Sequence, residues 1–264
     1  MKTVDSISPG DVTNSVKTKN FPKYGRYSVK DKLELKFPNT KISISRIDNE
    51  KFSYQRTNSE NKSTNKIILA KGAKLEIEVA PVIPVNLPKH KTDFLFLRLT
   101  EKLFLNKNSS AEIFIPLPIE IGVFYIEHNK AEVFDFFTCD PLHSRYGLYG
   151  LPEEGRLCKY AKVSLMNANE ESPFVYAKMK VFVHNELNRG ISLGKIVFPV
   201  TDHDLYYKDT NVLVDNLKVA IKHRGALELV EVVQDTIQKP DGWTESPTHR
   251  HKTDHKFSME RGFD

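Results

Sequence analysis

Apolar residues recur at every second position along most of this chain, and this alternation is the feature that most constrains its fold. The clearest example is residues 173–184, where one face carries Val175, Ala177, Met179, Val181 and Val183. A period of two is the pattern of a β-strand with one buried face. Residues 216–223 and 227–238 also fit a helical period, but their β-branched and aromatic content favours strands. We therefore predict an all-β fold of two β-sandwich-like or barrel-like antiparallel units, with little or no helix.

The length of 264 residues is sufficient for two units that each bury a core. The first twenty residues are polar, contain Pro9 and Gly10 and show no periodicity. The predicted organisation is a flexible N-terminal tail at 1–20, a first β-sandwich unit at 21–138, a connector rich in tyrosine and glycine at 139–160, and a second β-sandwich unit at 161–264.

Two local patterns inside the first unit predict how its strands are joined. Residues 66–70 and 74–79 alternate on either side of Lys71 and Gly72, which predicts a hairpin. The segment 81–90 contains three prolines and cannot lie in the middle of a sheet. We expect it to form an edge or a crossing segment.

The charge balance of the chain narrows the range of partners. The formal net charge is +5, from 39 Lys and Arg against 34 Asp and Glu, and the basic residues form no long run. Nucleic-acid-binding proteins concentrate such residues on one face, so we expect no nucleic-acid partner. Contact with a membrane assembly through the mildly basic surface stays open.

Hydropathy and cysteine content predict a cytoplasmic protein. No apolar run approaches the roughly 20 residues needed to cross a bilayer, and we therefore predict no transmembrane segment. The N-terminus lacks the apolar core of a secretory signal. Two cysteines are too few for a secreted disulfide scaffold of this size.

The connector differs in composition from the rest of the chain. It contains both cysteines, and its Gly147 and Gly150 permit a positive φ or a close approach of the backbone. Aromatic and arginine side chains are the usual anchors of binding interfaces, although tyrosine rings pack between structural units just as readily. The candidate binding residues are Arg145, Tyr146, Tyr149, Arg156 and Tyr160.

The same stretch provides a resemblance to a known family. Residues 146–160 read YGLYGLPEEGRLCKY, with PIEIGVFYIE upstream and KIVFPV followed by DLYY downstream. This order of segments resembles an archaeal family of uncharacterised proteins, catalogued as domain of unknown function four-three-two. The resemblance covers nearly the whole chain from about residue 21. It implies membership of that family, and it implies no reaction, cofactor or catalytic residue.

Two clusters of potential metal ligands stand out. Cys139, Asp140 and His143, with Cys158 as a fourth group, have the chemistry of a metal site, and the same cluster could provide a thiol nucleophile with a base. A structural loop is the alternative, and the two cysteines are either bonded to each other or buried as thiols. Three histidines near the C-terminus form a candidate imidazole clip, or a polar loop that binds metals adventitiously; they are His249, His251 and His255.

A histidine between two carboxylates is a further candidate for acid–base chemistry. His203 lies between Asp202 and Asp204, an arrangement that can tune an imidazole toward a general base. The competing interpretation is a turn in which short polar side chains satisfy the local backbone.

The absence of familiar catalytic motifs determines the functional prediction. The chain has no phosphate-binding loop, dinucleotide glycine fingerprint, nucleophile elbow or H-E-x-x-H zinc motif. We predict a non-enzymatic binding or assembly module that contacts a protein or a small ligand at the junction of its two β units. The alternative is a metal-dependent or carbohydrate-processing hydrolase with its site at the same junction, for which a divalent metal would be the cofactor. The binding module itself requires no cofactor.

Overall fold

A computed structural model of the chain describes residues 22–70, 73–139, 145–150, 155–168, 170–225, 227–247 and 257–260. These residues form strands without any helix, so the all-β prediction is confirmed. The strands are β1 (Gly25–Val29), β2 (Lys32–Lys36), β3 (Thr40–Arg46), β4 (Lys51–Asn58), β5 (Ser63–Leu69), β6 (Leu75–Val82), β7 (Phe94–Leu105), β8 (Ser109–Pro118), β9 (Glu120–Glu127), β10 (Lys130–Phe137), β11 (Arg145–Tyr149), β12 (Arg156–Val163), β13 (Tyr176–Asn185), β14 (Ile191–Pro199), β15 (Leu205–Lys208), β16 (Asn211–Val214), β17 (Asn216–Arg224), β18 (Leu227–Asp235), β19 (Thr244–Glu245) and β20 (Phe257–Glu260).

The strands form four sheets. Sheet A has the order β1-β6-β9-β10, sheet B the order β2-β3-β4-β5, and sheet C the order β11-β12-β7-β14. Sheet D has the order β19-β15-β16-β13-β17-β18-β20, and its eighth strand, β8, also pairs with β13. Buried apolar side chains from all four sheets form one continuous hydrophobic core.

The alternation in the sequence corresponds to the buried faces of the strands. In β13, Ala177, Met179, Val181 and Val183 are buried, as the period of two predicts. Sheet B buries one face in the same way, and Phe52 and Tyr54 on that face are fully inaccessible to solvent. The two segments that also fitted a helical period form the antiparallel pair β17 and β18.

The predicted hairpin around Lys71 and Gly72 is wrong. Strand β5 pairs with β4 in sheet B, whereas β6 pairs with β1 and β9 in sheet A. The physical reason is the difference in burial. Strand β5 has one exposed face, whereas seven of the eight residues of β6 are buried and suit the centre of a sheet. Residues 71 and 72 lie outside the described part.

The proline-rich segment after β6 is placed as predicted. Pro81 pairs with Ile121 of β9, but β1 reaches only as far as Val79 on the opposite side of β6. The missing N–H of Pro81 therefore removes no ladder bond to β1. Beyond Val82 the chain leaves the sheet and crosses toward β7.

Strand pairing crosses the position of the predicted connector. Strand β8 pairs along its whole length with β13, and β7 pairs with both β12 and β14. The strands that precede residue 139 therefore share two sheets with strands that follow residue 160. The division into two units stays a prediction. Any such division would have to separate strands that are paired in sheets C and D.

The pairing is mostly antiparallel, with parallel exceptions that the sequence did not indicate. Strand β12 runs parallel to β7, and β13 runs parallel to β16 and β17. Alternation is the same in both orientations, so it cannot reveal the direction of a partner strand. As for membrane spans, the described residues include no helix of the length and apolarity that a membrane crossing requires.

Candidate functional site

The predicted connector contributes a hairpin to sheet C. Strands β11 and β12 are antiparallel, with Arg145 opposite Tyr160 and Tyr149 opposite Arg156. Gly150, which follows β11, has a φ of +107°, and a Cβ there would lie 3.1 Å from the Cα of Gly155. A side chain at this position would be strained, as predicted. Gly147 differs, because the nearest atom to a Cβ built there is 3.8 Å away.

Strand β12 continues beyond the point where β11 begins. Ala161, Lys162 and Val163 still pair with β7, but no described strand pairs with them on the other side. The carbonyl of Val163 accepts a hydrogen bond from Thr100 on the β7 side. Main-chain groups alternate along a strand, so the amide and carbonyl of Lys162 point away from β7. They face a cleft at this edge of sheet C.

This cleft, which we call the β12 cleft, has a volume of about 280 Å³. Its apolar floor rests on the buried residues Leu95, Ile119 and Val163. The accessible apolar surface comes from the half-buried Pro118, Tyr160 and Tyr176. Its polar surface is mainly cationic. The described residues around it are Pro84, Leu95, Pro118, Ile119, Glu120, Thr138, Arg145, Lys159, Tyr160, Ala161, Lys162, Val163 and Tyr176.

Glu120 is the one carboxylate among the described lining residues, and it is fully engaged. Lys159 Nζ donates to Glu120 Oε1 at 2.6 Å, and the main-chain amides of Asn86 and Leu87 donate to Glu120 at 2.9 and 3.1 Å. Lys159 also donates to the carbonyl of Leu87 at 3.3 Å. The pair is buried, so these bonds hold the segment after β6 against β9 and β12 and neutralise both charges.

The other two cations of the cleft are not neutralised in this way. Arg145 and Lys162 are exposed, and neither forms an ion pair with a residue that the structure describes. Both belong to sheet C, Arg145 at the first position of β11 and Lys162 near the end of β12. The cleft therefore combines an apolar floor with a positively charged rim.

The five predicted binding residues do not gather at a single place. Arg145 and Tyr160 line the cleft. Tyr149 packs against Phe96 with ring centroids 5.7 Å apart, and the Arg156 guanidinium lies 4.7 Å from the centre of the Phe94 ring. The remaining residue is Tyr146, whose hydroxyl donates to the carbonyl of Lys89 at 3.3 Å.

The two cysteines are separate buried thiols rather than a disulfide. Burial raises the pKa of Cys139 to about 12. Burial also raises the pKa of Cys158 to about 11, although the nearby Arg156 opposes the shift. A protonated, inaccessible thiol is a poor nucleophile and a poor metal ligand. Cys139 therefore does not fit the nucleophile interpretation.

Most of the predicted metal ligands cannot be located. Asp140, His143, His249, His251 and His255 lie outside the described residues. Within the described ranges, no group of three or more His, Cys, Asp or Glu side chains could hold a metal ion.

His203 and its two flanking carboxylates are buried beside a hydrogen-bonded turn. The amide of Asp204 donates to Asp215 at 2.9 Å, and Gln234 donates to the carbonyl of Asp202 at 2.7 Å. The His203 ring packs 5.3 Å from the Phe198 ring. These contacts support the interpretation of this segment as a structural turn.

Three charged residues of the cleft were not predicted from the sequence. Nothing in the spacing of Lys159 and Lys162 distinguishes them from the other lysines of the chain. Glu120 gave a usable signal, because it interrupts the apolar stretch that runs from Ile113 to Ile126. A carboxylate inside such a run is rarely buried without partners.

Comparison with protein-family models gives one match, over residues 23–263, to the family described as Protein of unknown function (DUF432). The chain belongs to this family. All twenty strands and the β12 cleft lie inside the matched region, which confirms the resemblance of the central stretch. No curated protein and no solved structure matches the chain.

Proposed function

We propose that this protein is a non-enzymatic binding module that takes an anionic ligand into the β12 cleft. The observation behind the proposal is the pair of exposed cations Arg145 and Lys162, which lie beside an apolar floor and form no ion pair with a described residue. Lys159 adds no net charge, because Glu120 neutralises it. The rim therefore favours a negatively charged group on the ligand.

The floor and the rim have different roles. Burial of apolar surface is worth about 25 cal/mol per Å², so the half-buried Pro118, Tyr160 and Tyr176, which a ligand can still cover, provide most of the binding free energy. An exposed ion pair contributes only about 0.2–1 kcal/mol, and the two cations therefore select the ligand and orient it. The ligand that fits has an anionic group attached to an apolar or aromatic body.

NMR titration of ¹⁵N-labelled protein with phosphate and with phenyl phosphate, at low salt, tests this proposal. We expect amide shifts at residues 119–120 and 159–163, and tighter binding of phenyl phosphate because its ring covers the apolar floor. The double variant Arg145→Ala/Lys162→Ala should weaken binding about tenfold, the equivalent of about 1.4 kcal/mol.

Lys107→Ala is the matched control. Lys107 is an exposed cation just beyond the end of β7 that is distant from the cleft, and its removal should leave the affinity unchanged. Shifts that map to another surface, or an affinity insensitive to the double variant, would overturn the assignment of the cleft.

The hydrolase alternative would need different groups. Glycoside hydrolysis uses two carboxyl groups about 5 to 10 Å apart. Glu120 is the carboxylate that the described cleft residues provide, and it already accepts from Lys159 and two amides. A stoichiometric metal in untagged, purified protein would favour this alternative.

The proposal includes a cytoplasmic location. Its support is the state of Cys139 and Cys158, which are unpaired, buried thiols. Proteins of oxidising compartments more often use cysteines in disulfides.

A further inference from the structure

We propose that β5, the outer strand of sheet B, pairs with β5 of a second copy of the chain, so that two sheets join across a two-fold axis. This inference concerns a different surface from the β12 cleft. It depends on the main-chain groups of β5, on its exposed apolar side chains and on the position of its lysine.

The open edge of β5 presents unpaired main-chain groups. The amide of Ala70 donates to the carbonyl of Glu50, and the amide of Asn58 donates to the carbonyl of Lys62. These bonds show that the even-numbered residues of this segment direct their main chain toward β4. The odd-numbered residues therefore direct their N–H and C=O groups outward, where no described strand pairs with them. These residues are Ser63, Asn65, Ile67 and Leu69.

The same strand carries exposed apolar side chains. Ile67 is 59% exposed and Leu69 is 69% exposed. Ile47, which is 54% exposed, lies on the same outer face, because its amide donates to the carbonyl of Lys51 and Lys51 pairs with Leu69. Lys51 lies between Leu69 and Ile47 on this face, so the continuous apolar surface is the pair Ile67 and Leu69 on the edge strand itself. Exposed apolar side chains on an unpaired edge are typical of an interaction site.

The usual protection of an edge strand is absent from β5. Edge strands commonly carry an outward lysine, a proline or a bulge that prevents further pairing. Strand β5 has seven residues without proline, and its pairing with β4 shows no bulge. Its one lysine, Lys66, points inward and contacts the carbonyl of Phe134 and the carboxylate of Asp135.

A second copy is the occupant that these features fit. The outward residues of β5 are uncharged, so two copies can approach without the repulsion that a chain of net charge +5 would otherwise meet. Antiparallel pairing of a strand with itself creates a closed two-fold interface. A register centred on Ile67 places the two Ile67 side chains together and keeps the two Lys66 residues from lying opposite each other.

The interface is small, so we expect a weak dimer. Interfaces that bury less than about 1,200 Å² are typical of transient complexes. Sedimentation velocity over a range of micromolar concentrations should show a reversible monomer–dimer equilibrium. Ile67→Lys places two charges on the axis and should shift the protein to monomer over the whole range.

Phe104→Lys provides the matched control. Phe104 is 65% exposed on β7 in sheet C, and its replacement should leave the dimer intact. A protein that is monomeric at all concentrations, or a dimer lost with Phe104→Lys and retained with Ile67→Lys, would overturn the proposal.

Cross-linking tests the geometry without relying on a destabilising charge. The native thiols are buried, so an introduced surface cysteine is the one that reacts under mild oxidation. Paired residues of this kind have Cα atoms about 5.5 Å apart, within the range of a disulfide. Ile67→Cys should form a covalent dimer and Phe104→Cys should not; equal cross-linking of both, or of neither, would contradict pairing through β5.

Discussion

Burial determines what the two cysteines can do. Cys139 and Cys158 are almost inaccessible to solvent, and burial disfavours the charged thiolate in each case. Their pKa values of about 12 and about 11 lie well above the value of a free thiol. The proximity of Cys139 to Asp140 and His143 in the sequence suggested reactivity, but sequence proximity contains no information on burial.

We predict that both thiols are unreactive in the native protein. We also predict that they make the free energy of unfolding decrease as the pH becomes alkaline. Each thiol has a higher pKa in the folded state than in the unfolded state, so it holds its proton more tightly in the folded state. Its contribution to stability is therefore complete below the unfolded pKa and is lost as the pH rises toward 11 to 12. The loss should be on the order of 1 kcal/mol per pH unit for each thiol.

Thiol titration with a chromogenic disulfide and urea unfolding across the alkaline range provide the measurements. We expect no reaction in the native state near neutral pH and reaction of both thiols in urea. The variant Cys139→Ala/Cys158→Ala should show a weaker decline of stability with pH. Rapid labelling of the native protein would contradict the assigned burial.

At the scale of single strands, the sequence predicts faces better than partners. The period of two correctly identified the buried face of β13, because successive side chains of a strand point to opposite faces of the sheet and only one face is buried. Pairing depends on contacts between distant segments, and alternation is silent on these. This is why the predicted hairpin of β5 and β6 was wrong and why the parallel pairing of β12 with β7 was missed.

The candidate site shows the same limit. Arg145 and Tyr160 were singled out by residue type, and both line the cleft. Lys159 and Lys162 line it because β12 extends past β11 and alongside the segment after β6, a relation that no local pattern encodes. Residue type therefore identified two of the lining residues, and the others could be identified only from the three-dimensional structure.

Two glycines in strands should respond differently to the same substitution. A Cβ on Gly122 of β9 would lie 2.6 Å from Phe124 Cε2 and 3.1 Å from Val82 Cγ1, whereas a Cβ on Gly147 of β11 would lie 3.8 Å from its nearest neighbour. Because Phe124 is buried, Gly122→Ala forces the core to shift and should cost about 1–3 kcal/mol.

Gly147→Ala is the matched partner in this comparison. It should be neutral or stabilise the protein by about 0.5–1 kcal/mol, since glycine is unfavourable inside a strand. Urea unfolding of both variants provides the free energies. Equal effects of the two substitutions would show that Phe124 and Val82 do not lie as close to Gly122 as described.

At the scale of the whole molecule, the shared sheets favour cooperative unfolding. Strands β7 and β8 from the first half form sheets C and D together with β13 and β14 from the second half and with β12, which begins in the connector. One hydrophobic core joins all four sheets. Two independent units would require most long-range pairing to stay within each half, and β8 pairs with β13 over its entire length.

We therefore expect that a cavity in the first half lowers the stability of the second half equally. Ile44 in sheet B is fully buried, and Ile44→Ala should cost about 2–5 kcal/mol. The chain has a single tryptophan, Trp243, which lies in the second half and reports its unfolding by fluorescence. The urea midpoint of Trp243 fluorescence should fall in step with the loss of far-UV circular dichroism, because both report one transition.

Val230→Ala, in the buried face of β18, is the control within the second half and must shift the same midpoint. If Ile44→Ala left the Trp243 midpoint unchanged while Val230→Ala moved it, the chain would unfold as two units, and the division at residues 139–160 would describe its energetics despite the shared sheets.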